Sequence, residues 1–230
     1  MDFVSESFAT ALGLIAARDC EVLGAVRTSL GCALASTAIA AAIGIPIGTW
    51  IGIRSFRLKR AVVTLLNTLL AFPTVVIGLV LYGMLSRSGP LGGMGLLFTP
   101  TALVIGQTVL AVPVVASYAV SAVQGADARI LPTALTLGCG PVQTTLLLLG
   151  EVKFAVVAAV VAAFGRVISE VGVAMMLGGN IRTYTRTMTT AIALETSKGE
   201  LAFGLALGVI LVGVALVVNM AFNHLQQAHR

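Results

Sequence analysis

Residues 28–53 read TSLGCALASTAIAAAIGIPIGTWIGI, 26 residues without a charge. A bilayer core about 30 Å thick is crossed by roughly 20 helical residues, so this stretch has the length and composition of a transmembrane helix. Working outward, a second gap of 26 uncharged residues lies between Arg60 and Arg87. A third runs from Ser88 to Ala126. Its start, SGPLGGMGLLFTP, has the Gly and Pro content of a loop, which leaves 101–123 as the span. Residues 151–170 form a fourth, with ionisable groups gathered at its two ends, where long side chains reach the headgroups. Residues 201–222 make the fifth. The expectation is an all-α membrane protein with five spans.

Composition agrees. Of 230 residues, 58% are apolar and 10% charged, against roughly 25% charged in soluble domains, and mean hydropathy is +1.03. That balance excludes a disordered chain as well as a soluble one. Three cysteines, Cys20, Cys32 and Cys139, contain no CxxC pair, and both histidines, His224 and His229, sit at the C-terminal end. No metal site or cofactor is expected. No GxxxxGK[ST] occurs, so the chain is not expected to hold ATP. A histidine-dependent intramembrane protease and a proton relay lack their residues. No nucleic-acid partner is expected; the net charge of +5 suits an anionic lipid face.

Orientation follows from Arg54, Arg57, Lys59 and Arg60, four cations in seven residues, which place the first inter-span loop in the cytoplasm. Alternation puts 124–150 and the tail at 226–230 inside, and 177–200 outside. Arg182, Arg186 and Lys198 then lie on the far side and need another explanation. Residues 1–24 lack a basic start and do not read as a signal peptide. Phe8, Leu12 and Ile15 suggest an amphipathic helix over 3–17, lying on the membrane or extending the first span.

Within the first span, Cys32, Ser36, Ala40, Gly44 and Gly48 recur every fourth residue, and the fifth carries Gly204 and Gly208 in GxxxG spacing. Such stripes let helices approach closely, either within one bundle or between two copies. Pro46, Pro73 and Pro113 place one proline in each of the first three spans. They imply kinks of the kind that accompany a path, or reflect the commonness of proline in membrane helices. The inside connection reads GADARILPTALTLGCGPVQTTLLLLG over 125–150. Leu131-Pro132 can open a short helix with proline at its first position, Gly138 can end it, and Gly140-Pro141 can start the next. Such a stub either docks into a partner or lies idle at the interface.

Here the sequence resembles the membrane subunit of a binding-protein-dependent ABC importer. The core of that family's cytoplasmic "EAA" loop is matched by Ala134-Leu135-Thr136-Leu137-Gly138-Cys139-Gly140, although Pro132 stands at the glutamate position and Thr133 at the first alanine. Residues 164–172 (FGRVISEVG), 177–181 (LGGNI) and 185–192 (TRTMTTAI) resemble the oxyanion branch, with Val171 in place of a phenylalanine. GGNIR followed by TTAI-LET-KGE is similar to tungstate-type permeases, and molybdate permeases are close to these. The resemblance implies a type I importer permease fold over 25–225 in a bacterial or archaeal plasma membrane, paired as a homodimer. It also implies a cytoplasmic ATPase dimer gripping Leu131, Pro132, Ala134, Leu137, Gly138, Cys139, Gly140 and Pro141, and an external oxyanion-binding protein. Ala134 and Gly138 would supply a small, rigid docking surface.

A driving force would be required. A potential of 100 mV opposes inward movement by about 2.3 kcal/mol per negative charge, and each tenfold gradient adds about 1.4 kcal/mol. A permease for another small solute, or a gated channel or stand-alone carrier, are the alternatives.

Arg166 and Glu170, four apart, read as a structural ion pair or as a gate. Asn180 suits a turn or the pore lining. Arg182, Thr185, Arg186 and Thr187 form an outer cluster of donors for a passing oxyanion, for binding-protein docking, or for plain solvation. No tight anion site is expected, because a deep well would slow release.

Overall fold

The computed structural model describes residues 2–227, and every regular element among them is helical. In order these are α1 (Asp2–Ala16), α2 (Cys20–Ile53), α3 (Lys59–Leu70), α4 (Thr74–Leu85), a 3-10 turn (Gly92–Met94), α5 (Pro100–Gln124), α6 (Ile130–Thr136), α7 (Pro141–Glu151), α8 (Lys153–Ile168), α9 (Gly172–Gly178), α10 (Met188–Lys198) and α11 (Leu201–Gln227). Three helices, α2, α5 and α11, are each long and apolar enough to cross a membrane. Two bent pairs, α3 with α4 and α7 with α8, bring the total to as many as five where each pair counts as one span. Of the tail expected at 226–230, residues 226 and 227 end α11; residues 228–230, with His229, lie outside the described residues.

Local chemistry sets the boundaries. Asp19 caps α2 by accepting from the backbone N–H groups of Glu21 (2.9 Å) and Val22 (3.1 Å). At the far end Lys59 Nζ donates to the Gly52 carbonyl at 2.8 Å, one of the acceptors a helix terminus leaves open. α5 starts on a Thr99 cap with Pro100 in its first turn. The three prolines differ in effect. Pro46 and Pro113 sit inside continuous helices. Pro73 stands at the α3–α4 break, where the axes bend by 95°, because proline disfavours helical geometry at Phe72 before it and cannot donate a helical hydrogen bond. The stretch expected as one span over 151–170 bends by 72° at Val152, so α8 alone covers its apolar part.

Packing centres on α5, whose most extensive contact is with α2 and which also touches α3, α8 and α9. The small-residue stripe makes the α2–α5 contact possible. Cys32, Ser36, Ala40, Gly44 and Gly48 are all buried within this chain. A Cβ on Gly44 would fall 2.8 Å from Val115 Cβ, and one on Gly48 would fall 2.7 Å from Ala119 Cβ. The stripe is therefore spent inside the bundle and is not open to a second copy. In α11, Gly204 faces Thr196 of α10, while nothing approaches Gly208 within 4 Å. The N-terminal helix packs on α11 through small residues, Ser7 and Ala11. Leu12 is 52% exposed. The side chain of Phe8 lies outside the described residues.

Candidate functional site

Two regions hold the residues singled out by sequence. The first is the α6 stub. Before it, Arg129 clasps the Asp127 carboxylate (Nε–Oδ1 3.1 Å, Nη2–Oδ2 2.7 Å) and holds that carboxyl below its usual range. The helix begins at Ile130, so Pro132 is its third residue and not its first. The position is permitted because first-turn N–H groups have no helical acceptor to lose. The end is a paired closure: the N–H of Gly138 donates to Leu135 (3.0 Å) and that of Cys139 to Ala134 (2.9 Å). Gly138 takes φ +78°, a conformation costly to any side-chain-bearing residue. α7 then starts at Pro141, with Gln143 Oε1 accepting from the Gly140 N–H at 3.0 Å.

Ala134 does not form the outer surface as expected; it is buried, at 2%. The outward face is made by Leu135 (66% exposed) and Leu137 (76%), with Pro132 beside them. A helix of seven residues cannot hide these leucines against itself. A groove of about 750 Å³ lies between this region and the end of α2, lined by Trp50, Arg54, Leu131, Leu135, Pro141 and Thr144 among others.

The second region joins the start of α2 to residues 170–198. Gly179 (φ +66°) and Asn180 (φ +51°) reverse the chain after α9. Asn180 Oδ1 accepts from Thr190 Oγ1 at 3.0 Å and its amide donates to the Thr190 carbonyl at 3.3 Å. Its side chain therefore ties the turn to α10. Thr185 Oγ1 donates to the Gly178 carbonyl and accepts from Ile181 N–H. Thr187 caps α10, exchanging hydrogen bonds with Thr190. Ser29 of α2 accepts from the Met188 N–H at 2.7 Å.

The charges are internal too. Arg186 Nη1 pairs with Glu21 and, at 3.3 Å, with Glu195 Oε1. Arg182 Nε reaches Glu21 at 3.1 Å, and Lys198 Nζ reaches Glu195 at 3.2 Å. These pairings account for the three cations that the sequence left unexplained. Thr185, Arg186 and Thr187 are all at least 95% buried, so they are not open donors for a passing anion in this structure. Only Arg182 stands at the rim, with its side chain 63% exposed. Sequence reading missed Glu21, Glu195 and Ser29; the unexplained cations were the signal that acids must lie near.

The expected Arg166–Glu170 ion pair is not formed. α8 stops at Ile168, so Glu170 leaves the helix face on which Arg166 sits. Glu170 turns inward, 7% exposed, and accepts from the Val173 N–H at 3.2 Å. Arg166 is exposed in the last turn of α8, with no ion-pair partner among the described residues.

A family profile for the binding-protein-dependent transport system inner membrane component matches residues 44–230. The chain is 39% identical over 227 residues to the tungstate uptake system permease protein TupB of Peptoclostridium acidaminophilum, covering 99% of this chain and 100% of that one. It is 44% identical over 196 residues to a probable anion ABC transporter permease protein of Haloferax volcanii, covering 83% and 84%. Over 215 residues it is 30% identical to the molybdenum transport system permease protein ModB of Azotobacter vinelandii, covering 87% and 95%. Among solved structures, an inward-facing form of the MetNI methionine ABC transporter superposes with a TM-score of 0.75 at 17% identity, over 90% of this chain and 95% of that one. At that identity the likeness concerns the fold.

Proposed function

This chain belongs to the family of binding-protein-dependent transport system inner membrane components, and from that premise we propose that it is the permease subunit of an ATP-driven importer for tungstate or a related oxyanion such as molybdate. It is a multi-pass protein of the plasma membrane. The observation that carries the reading is the likeness to a tungstate permease over 99% of this chain and 100% of that one.

The permease works as a homodimer. α6, with the basic loop at 54–60 on the same cytoplasmic side, is the handle for a separate ATPase. Its bare Leu135 and Leu137 fit an apolar recess, and the Gly138 closure together with the Gly140-Pro141 start fixes their direction. Residues Leu131 to Pro141 then move as one piece, because the stub is closed at both ends by backbone hydrogen bonds. ATP hydrolysis belongs to that partner, and an external binding protein supplies the cargo.

Asn180, Thr185, Arg186 and Thr187 serve as the rigid outer frame of the subunit; Asn180, Thr185 and Thr187 are hydrogen-bonded within the chain and Arg186 Nη1 is paired with Glu21 and Glu195, while the buried Arg186 Nε has no partner among the described residues. Arg182 is available for contact with the binding protein. Arg166 faces the cargo. An unpaired guanidinium on a membrane helix is costly unless it borders water or an anion, and here both are present when the path is open. Exposed to water, a single cation attracts a dianion without holding it tightly.

Reconstitution tests this. Proteoliposomes containing the chain, its cognate ATPase and binding protein should accumulate tungstate only with ATP on the ATPase side. Equal uptake without the ATPase, or ATP-driven uptake of an amino acid or sugar in place of an oxyanion, overturns it.

A further inference from the structure

α3 carries its polar side chains on the wrong face for lipid. Thr64, Asn67 and Thr68 share one side of the helix and are exposed, with Leu65 (59% exposed) at the edge of that side, whereas Val62, Val63, Leu66 and Leu69 are partly covered by the rest of the chain. Hydrocarbon offers no partner for an amide, so a surface of this kind at membrane depth must meet water or another polar surface. The depth follows from the chain. Asn67 lies eight residues beyond Lys59, about 12 Å along the helix, inside an uncharged stretch of 26 residues.

The hydrogen bonds give this face a sign. Ser117 Oγ of α5, 7% exposed, donates to Asn67 Oδ1 at 2.6 Å. One lone pair of the Asn67 carbonyl oxygen is thereby used and the NH2 is turned away, with no partner among the described residues. Thr68 spends its hydroxyl on the Thr64 carbonyl (2.8 Å), and Ser121 spends its own on the Ser117 carbonyl (3.1 Å). What remains uncommitted on α3 beyond the Arg60 guanidinium at its start is the pair of N–H donors of Asn67 and the hydroxyl of Thr64, one turn away. No acidic side chain occurs anywhere in α3 or α5.

We infer that this face lines the anion path, and that Asn67, oriented by Ser117, donates to the oxygens of the passing oxyanion. The inference rests on the importer reading above and adds to it a specific contact. A second copy pressed directly against the same face would offer the Asn67 NH2 only hydroxyl oxygens and an amide oxygen already shared with Ser117 as acceptors. An oxyanion between the copies carries acceptors only and fits that gap. Neutral donors also suit a conduit, since they favour the anion without the deep well of a buried cation.

Asn67→Asp distinguishes this from a merely structural role. The aspartate keeps the size of the side chain and an oxygen for Ser117, but replaces both donors with negative charge. In proteoliposomes with ATPase and binding protein, tungstate uptake by N67D should fall at least about tenfold, by like-charge repulsion, with dimer assembly retained. Asn67→Leu, which loses the Ser117 bond as well, should be impaired less than N67D. A structural role gives the opposite order, because only leucine breaks the bond. Wild-type uptake by N67D, or greater damage from N67L, overturns the inference while leaving the importer reading in place. Failure of the wild-type assembly to move any oxyanion removes both. Should N67D not assemble, Thr64→Asp, on the same exposed face, makes the same test with the same expected loss.

Discussion

Arg186 Nη1 lies 3.3 Å from Glu195 Oε1, and both side chains are enclosed, at 5% and 8% exposure. The same nitrogen pairs with Glu21, 165 positions earlier in the chain. A charge held this far from water is tolerated only while its partners remain. Arg186→Leu leaves two carboxylates facing each other and should cost about 3–5 kcal/mol. Arg182→Gln, at the exposed rim of the same cluster, should cost under about 1 kcal/mol. Thermal unfolding of the two variants in detergent compares them directly. Equal shifts would mean that the cluster does not fasten α2 to the 182–198 segment.

The α2–α5 contact gives a second contrast. An added methyl at position 48 would press on Ala119 Cβ at 2.7 Å and on the Ala116 carbonyl, a backbone atom that cannot swing aside. Gly48→Ala should therefore lose about 1–3 kcal/mol through overpacking, despite alanine's better helix propensity. Gly208→Ala meets nothing within 4 Å and should stay within about 0.5 kcal/mol of wild type. Unfolding midpoints of the pair decide whether stability tracks the close approach or glycine content alone.

What could be read from sequence was whatever depends on neighbours in the chain. Five apolar segments follow from gaps between charges, and the close of α6 and the start of α7 follow from Gly138, Gly140 and Pro141, since a Gly or Pro acts on its own backbone. Two of the five spans are bent pairs, at Pro73 and Val152. The first had a proline to mark it; the second had only Glu151 and Lys153, which also suit a helix end at a membrane surface. Side-chain partners were not legible, because they are set by packing. Arg166 and Glu170 have the spacing of a helical ion pair, yet α8 ends between them. Arg182, Arg186 and Thr187 look like a donor cluster until Glu21, brought in by α2, takes up the charge. Ala134 had the size for a docking surface, but the turn of α6 points it inward and Leu137 outward.

Gly138 links local geometry to coupling. Its φ of +78° is needed for the two hydrogen bonds that close α6, and the space around it is open. Gly138→Ala should strain the backbone by roughly 1 kcal/mol, with the dimer intact and uptake reduced. Gly138→Glu adds a charged side chain on the face proposed to meet the ATPase and should abolish uptake while the dimer still assembles. Leu137→Asp should do the same by placing a charge where 76% of an apolar side chain is now exposed. Co-purification of the ATPase with each variant reads the contact. Full retention of ATPase and uptake in both charged variants would remove α6 from the coupling route.

Arg166 is the remaining case, because its exposure in the last turn of α8 without an ionic partner distinguishes it from every cation in the Glu21–Glu195 cluster. A residue that supports the fold and one that attracts cargo respond differently to substitution. Arg166→Gln removes no salt bridge, so stability should stay within about 0.5 kcal/mol of wild type. If the guanidinium attracts a dianion in a partly watery path, its loss weakens that attraction by about 1–2 kcal/mol at the effective dielectric of a protein surface, roughly a tenfold fall in uptake at limiting tungstate. Arg166→Glu reverses the sign and should fall further, whereas Arg166→Lys should keep most activity, because attraction at a distance needs the charge and not the planar fork. Rising salt should narrow the gap between wild type and Arg166→Gln as the charge is screened. An unfolding midpoint that drops with Arg166→Gln, or uptake that ignores the sign of the side chain, would place Arg166 among the structural residues after all.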